Sequence, residues 1–303
     1  MEGKKSIATF AYSLLLSKKA KDQAEKAIII GAITSFILHL LLIGLAHFRI
    51  IKTGDYSELL TNPISAIYTP FSFILVFEVY LLVYYLPRSI TIYIGKQYEI
   101  ITLITIRRIF KDLGNMELTA GWFSSKADLQ LTFDILSTLI LFFLIYLFYR
   151  FNERRAPNSL VQKQISPETE GFINQKKGIA IIMVVILISL AVYSFGNWIY
   201  ASFFSVGQML GKFNDLNKIF FDQFFIILIL TDVFLLLISL YNSDKFHRVI
   251  RNSGFIISTI LIRFSFGVEG LLNTALVVVA VLVGVLILGI HNLYEKNLSS
   301  TEH

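Results

Sequence analysis

Long apolar runs separated by short polar ones dominate this chain, and a helix needs about 20 apolar residues to cross the hydrocarbon core of a bilayer. Six runs reach that length: about residues 27–49, 66–87, 128–150, 177–200, 218–241 and 270–292. Two more, about 90–111 and 251–267, are interrupted by charge. The first carries Lys96, Glu99, Arg107 and Arg108; the second is short and holds Arg263. Each either spans or is re-entrant or interfacial. Ahead of all of them, residues 6–24 read as an amphipathic helix with Ile7, Phe10, Ala11, Leu14 and Leu15 on one face. Such a helix lies on an anionic lipid surface or packs on the protein itself. Lys4 and Lys5 before a short apolar run imitate a secretory signal, but the charged stretch from Ser17 to Asp22 offers no cleavage site.

The placement of Lys and Arg selects among topologies, because cytoplasmic loops collect them. With eight spans and the N-terminus inside, 18 of the 27 Lys and Arg residues fall on the cytoplasmic side and seven outside, while Arg107 and Arg263 stay in the membrane. A six-span chain places the basic loop after residue 150 on the other side and weakens the bias. The expected order is a cytoplasmic amphipathic helix (1–26), four membrane helices (27–150), a polar cytoplasmic linker (151–176), four more membrane helices (177–294) and a cytoplasmic tail (295–303). Both ends are expected to be cytoplasmic.

The two sets of four look alike. FSFILVFEVYLLVYYL from Phe71 to Leu86 parallels FIILILTDVFLLLISL from Phe225 to Leu240, which aligns Glu78 with Asp232. IITLITIRRIF from Ile100 to Phe110 parallels IISTILIRFSF from Ile256 to Phe266, which aligns Arg107 with Arg263. Matched apolar residues are weak support for duplication, but a matched acid and a matched arginine at nearly constant offset are much stronger. Four spans per repeat is an even number, so both copies insert in the same direction and form parallel repeats. The fold class expected is therefore an all-α membrane protein: eight transmembrane helices as two parallel four-helix repeats, with an amphipathic N-terminal helix.

An acid-bearing apolar helix, a short basic turn, an apolar helix ending in one Arg and a last apolar helix follow one another from Asp232 to Tyr294. This pattern resembles the phosphate-starvation-inducible membrane protein E family, here as a tandem duplication, and more weakly in the first half. The resemblance implies a bacterial inner membrane and four-span topology. It implies no activity.

A charged side chain at a helix centre costs about 2.5–3.5 kcal/mol on insertion scales, so such groups are seldom left unpaired. Glu78 and Asp232 lie near the middle of the second span of each repeat, and Arg107 and Arg263 in the third. Asp134, early in the fourth span, is placed to reach Arg107, and Glu269 is placed to serve Arg263. These six residues are either clips that hold helices together or the lining of an ion, proton or small-solute path. A voltage sensor needs several arginines at three-residue spacing, which is absent here. The expectation is a non-enzymatic membrane subunit or scaffold stabilised by acid–arginine pairs, with a channel or transporter component as the alternative.

Composition narrows the rest. The chain is 55% hydrophobic and 16% charged, with 27 Phe and no Cys, which removes disulfides, thiolate metal sites and cysteine nucleophiles. Its net charge of +6 sits beside apolar runs, pointing to anionic lipid at the cytoplasmic face and not to nucleic acid. Its Phe-rich faces suit a homo-oligomer or other membrane subunits. His39 and His47 are about 12 Å apart along a helix, too far to share a metal. None of the zinc-protease, serine-hydrolase, phosphate-loop or dinucleotide motifs occurs, so neither a cofactor nor an enzymatic reaction is expected.

Overall fold

The computed structural model describes residues 7–48, 63–114, 126–153, 167–204, 212–241, 246–268 and 270–301. Every regular element among them is helical: α1 (Ile7–Leu15), α2 (Lys18–His47), a 3-10 turn (Pro63–Ile67) leading into α3 (Tyr68–Tyr85), α4 (Ile90–Gly114), α5 (Lys126–Glu153), α6 (Pro167–Phe204), α7 (Lys212–Tyr241), α8 (Phe246–Phe266) and α9 (Leu271–Thr301).

Five segments among the described residues are long and apolar enough to cross a membrane: Phe10–His47, Asp128–Glu153, Ile173–Leu190, Phe246–Phe266 and Leu271–Asn297. α3 and α7 supply shorter apolar stretches, Thr69–Tyr85 and Gln223–Ser239. α4 covers the run at 90–111, and its charges set it apart from these apolar segments. The helices are those of a multi-pass membrane protein.

Two boundaries differ from the sequence expectation for local reasons. The single helix expected at 6–24 is broken, because the Ser17 side chain accepts the Ala20 N–H at 3.1 Å and caps a new helix. Such a cap satisfies a donor that the first turn leaves open. Residues 18–24 therefore belong to α2. Residues 167–176, expected as linker, are the first turns of α6, which opens at Pro167, a residue whose fixed φ and missing N–H suit a helix start. Most of the rest of that linker, residues 154–166, lies outside the described residues.

The chain forms two compact units, Met1–Tyr84 with Lys177–Ile227, and Tyr85–Lys176 with Leu228–His303. In the first, α1 and α2 meet at an elbow. Leu16 is buried there, the Tyr80 hydroxyl of α3 donates to the Leu15 carbonyl at 2.8 Å, and Lys177 Nζ lies 5.5 Å from the centre of the Tyr12 ring. Further along α2, His39 Nδ1 is 3.2 Å from Thr69 Oγ1. The Thr69 hydroxyl hydrogen goes to the Ala66 carbonyl, so His39 is the donor.

The second unit is built on two helical hairpins, α4–α5 and α8–α9. α9 packs on both α8 and α5, and α4 touches α8 and α9. α8 turns into α9 through Gly270, whose φ of 72° lies in the left-handed region that only glycine enters freely. Tyr98, Phe148, Phe255, Leu141, Ile94 and Leu288 fill the centre and are essentially inaccessible.

Candidate functional site

Polar side chains buried in the second unit form separate clusters along its length. At the end where α8 turns into α9, Asp134 of α5 is fully buried. Arg108 of α4 grips it through two bonds, Nε to Oδ2 at 2.7 Å and Nη2 to Oδ1 at 2.8 Å. This bidentate pairing matches the planar fork of a guanidinium to a carboxylate. Asp134 Oδ1 also accepts from Gln130 Nε2 at 2.9 Å and from the Thr274 hydroxyl at 2.5 Å. Arg108 Nη1 donates to Asn273 Oδ1, and the Asn273 amide donates in turn to the Ser265 carbonyl. The carboxylate thus ties α4 and α5 to α9, and Asn273 extends the network to α8. The register follows from the sequence: Gln130 and Asp134 are one turn apart on α5, and Asn273 and Thr274 open α9.

At mid-length the clusters give way to a close-packed plug. The Ser258 hydroxyl donates to the Ala280 carbonyl at 2.6 Å, so the Tyr98 hydroxyl, 2.7 Å from Ser258 Oγ, is the donor to it. Tyr98 reaches this position only because residue 284 is glycine. A Cβ there would overlap the Tyr98 hydroxyl and stand 2.6 Å from its Cζ. The Phe148 ring meets Tyr98 edge-on at 5.2 Å and Phe255 at 5.8 Å.

Nearer the other end of the unit, Asp232 of α7 is 2% exposed. Tyr93 donates to its Oδ1 at 2.7 Å, and Gln97 Nε2 to its Oδ2 at 3.1 Å. Lys176, also buried, donates to the Arg88 carbonyl at 3.1 Å. On the partly exposed side of α4, Lys96 and Glu99 pair at 2.6 Å, and the Tyr149 hydroxyl joins Glu99 at 2.5 Å.

No family model, curated protein or solved structure matches the chain. The arrangement of its own residues therefore carries the functional reading.

The sequence expectations meet these clusters unevenly. Asp134 is held by an arginine, but the recorded partner is Arg108, where the sequence pointed to Arg107. Neighbours on a helix point about 100° apart, since a turn takes 3.6 residues, and apolar patterning around the pair does not say which one faces α5. Arg107 and Arg263 both lie in the second unit and are engaged in contacts of their own. Asp232 is met by neutral donors, Tyr93 and Gln97, which carry no charge signature in the sequence. Glu78 is buried at 3% exposure in the first unit and is likewise engaged. Glu269 lies outside the described residues. No group of three or more metal-ligating side chains occurs among the described residues.

Proposed function

We propose that this chain is a non-enzymatic subunit or scaffold of a cell inner membrane, with eight helical spans in two parallel four-helix repeats and both ends cytoplasmic. One observation carries the reading. Asp134 is fully buried, and Arg108, Gln130 and Thr274 supply four hydrogen bonds to its two oxygens. A conducting acid must exchange ligands with water or an ion; this one has both oxygens held by protein donors. The Tyr98 plug between the hairpins adds to the same argument.

Helices overlap the eight apolar runs, five of them long and apolar enough to cross a membrane, and α4–α5 packs with α8–α9 as hairpin against hairpin. That pairing is compatible with a parallel duplication, on which the resemblance to the phosphate-starvation-inducible membrane protein E family also rests. The bilayer is the first partner. At the α1–α2 elbow Phe10 and Leu14 are 61% and 63% exposed, and Lys18 and Lys19 beside them are exposed too. An apolar pair followed by two cations suits the boundary of an anionic leaflet. The exposed Phe-rich faces provide surface for a second copy or for other membrane subunits.

A second reading, an ion or proton path, draws on Asp232, a buried acid whose two recorded donors are both uncharged. Ion and proton flux in proteoliposomes separates the two. The scaffold reading expects the native chain to match empty liposomes under every gradient and voltage. Flux above that level, lost in folded Glu78→Gln and Asp232→Asn variants, overturns it in favour of the path.

A further inference from the structure

The end of the second unit opposite Asp134 holds a different kind of cluster. Arg251, in the second turn of α8, is 8% exposed, and His291 of α9 is 4% exposed. Arg251 Nε and Nη2 donate to Asn252 Oδ1 at 3.1 and 2.8 Å, and the Asn252 amide donates to the Ser239 hydroxyl at 3.0 Å. The guanidinium is thereby fixed, and its Nη1 stands 3.2 Å from His291 Nε2. The same histidine nitrogen is 3.3 Å from Glu295 Oε1, one turn further along α9.

These two contacts make opposite demands. A guanidinium only donates and an ionised carboxylate only accepts, whereas an imidazole nitrogen does one or the other according to whether it carries a proton. Without a proton, Nε2 accepts from Arg251 and ties α9 to α8. When both ring nitrogens are protonated, Nε2 donates to Glu295 on its own helix and the ring confronts Arg251 as a second cation.

We propose that His291 is a proton-operated clip between α8 and α9, closed on Arg251 when the ring is neutral and released to Glu295 when the ring is charged. The stabilisation from the Arg251 contact is present at the higher pH and lost as pH falls through the imidazole range, about pH 8 to 5. The proposal stands apart from the scaffold and path readings, since it concerns only how two helices are held.

Other charges around His291 set the terms of the exchange. From α8, the His247 ring stacks on His291 with centroids 5.3 Å apart, and its Nε2 is 3.9 Å from the same Glu295 oxygen; Arg248 lies in the same turn. On α9 itself Lys296 follows Glu295. α5 brings Arg150 and Glu153, both exposed. α4 faces α9 at Gly284, two turns away, with the neutral Tyr98, and its charges Lys96 and Glu99 satisfy each other. His247 is thus the group most able to imitate His291, and the test must separate them.

The absence of Cys allows two cysteines to carry spin labels without background. Phe246 and Leu293, 71% and 65% exposed, are suitable positions on α8 and α9. The full chain in lipid nanodiscs, as Phe246→Cys/Leu293→Cys, is compared by double electron–electron resonance at about pH 8 and about pH 5. The expected result is a distribution that lengthens and broadens at the lower pH. His291→Gln, whose carbonyl oxygen accepts from Arg251 but does not titrate, keeps the high-pH distribution at both values. His247→Gln still shifts. Arg251→Ala, an independent check should the His291 variant fold poorly, shows the released distribution at both values. A native distribution indifferent to pH, a shift that survives His291→Gln, or a shift lost in His247→Gln overturns the proposal.

Discussion

The first and last of the five long apolar segments are alike in composition and opposite in fate. In Phe10–His47, 11% of the most apolar window is buried inside the protein; in Leu271–Asn297 the figure is 44%. Apolarity cannot make this distinction, because lipid tails are as apolar as leucine and give no hydrophobic force between helices. Small and polar residues make it. α9 offers Asn273 and Thr274 to Arg108, Gly284 to Tyr98 and His291 to Arg251. α2 offers His39 to Thr69, and Gly31 to the Phe73 ring. A span joins the interior of this protein through the few side chains that lipid cannot satisfy.

That comparison can be broken at its strong end or sharpened at its weak one. The largest effect is expected from Asp134→Ala, which leaves the Arg108 guanidinium without its counter-charge; losing one partner of a fully buried pair costs about 3–5 kcal/mol, and the 28% exposure of Arg108 places the expected loss at the lower end of that range. Unfolding measured in bicelles checks this, and a loss below about 1 kcal/mol would return the cluster to the weak bonds typical of membrane helices. Gly284→Ala follows. It displaces a buried ring from a close-packed slot, and overpacking of this kind costs about 1–3 kcal/mol; the companion Gly284→Ala/Tyr98→Phe should recover part of the loss if the hydroxyl is the obstacle. His39→Ala removes one interhelical hydrogen bond and is expected to cost about 0.6 kcal/mol. Leu41→Ala, at a position 58% exposed on α2, is expected to fall within about 0.5 kcal/mol of native. A Leu41 effect as large as that of Gly284 would mean that α2 is covered by protein after all.

The same contrast explains what the sequence could and could not tell. Helices fall where apolar runs of spanning length lie, because chain length and the cost of unpaired backbone groups in lipid leave no other solution. The buried acids were also legible, since an acid in an apolar run stands out. The donors to Asp134 and Asp232 were not. Arg107 and Arg108 are adjacent, and only the packing of α4 on α5 makes Arg108 the one that grips Asp134. Tyr93 and Gln97 hold Asp232 from 139 and 135 positions away, and neither looks unusual on an amphipathic helix. Gly284 reads as a generic small residue until Tyr98, on another hairpin, is laid across it. The break at Ser17 was available as a capping residue before a charged turn, but the apolar face of α1 continues through it and masks the signal.

The slot that Gly284 opens also has an order of construction. Its floor is local: the Ser258 hydroxyl reaches Ala280 within one hairpin, across 22 positions. Its occupant, Tyr98, belongs to a hairpin made more than 150 positions earlier. During synthesis α4 and α5 are complete, with Arg108 and Asp134 able to find each other, before Asn273, Thr274 and the groove that receives the tyrosine are made. The early hairpin must wait, partly satisfied, for the last helix of the chain. A chain that stops before α9 lacks Gly284, Asn273 and Thr274, and so leaves Tyr98 without its slot and the Arg108–Asp134 pair without two of its partners.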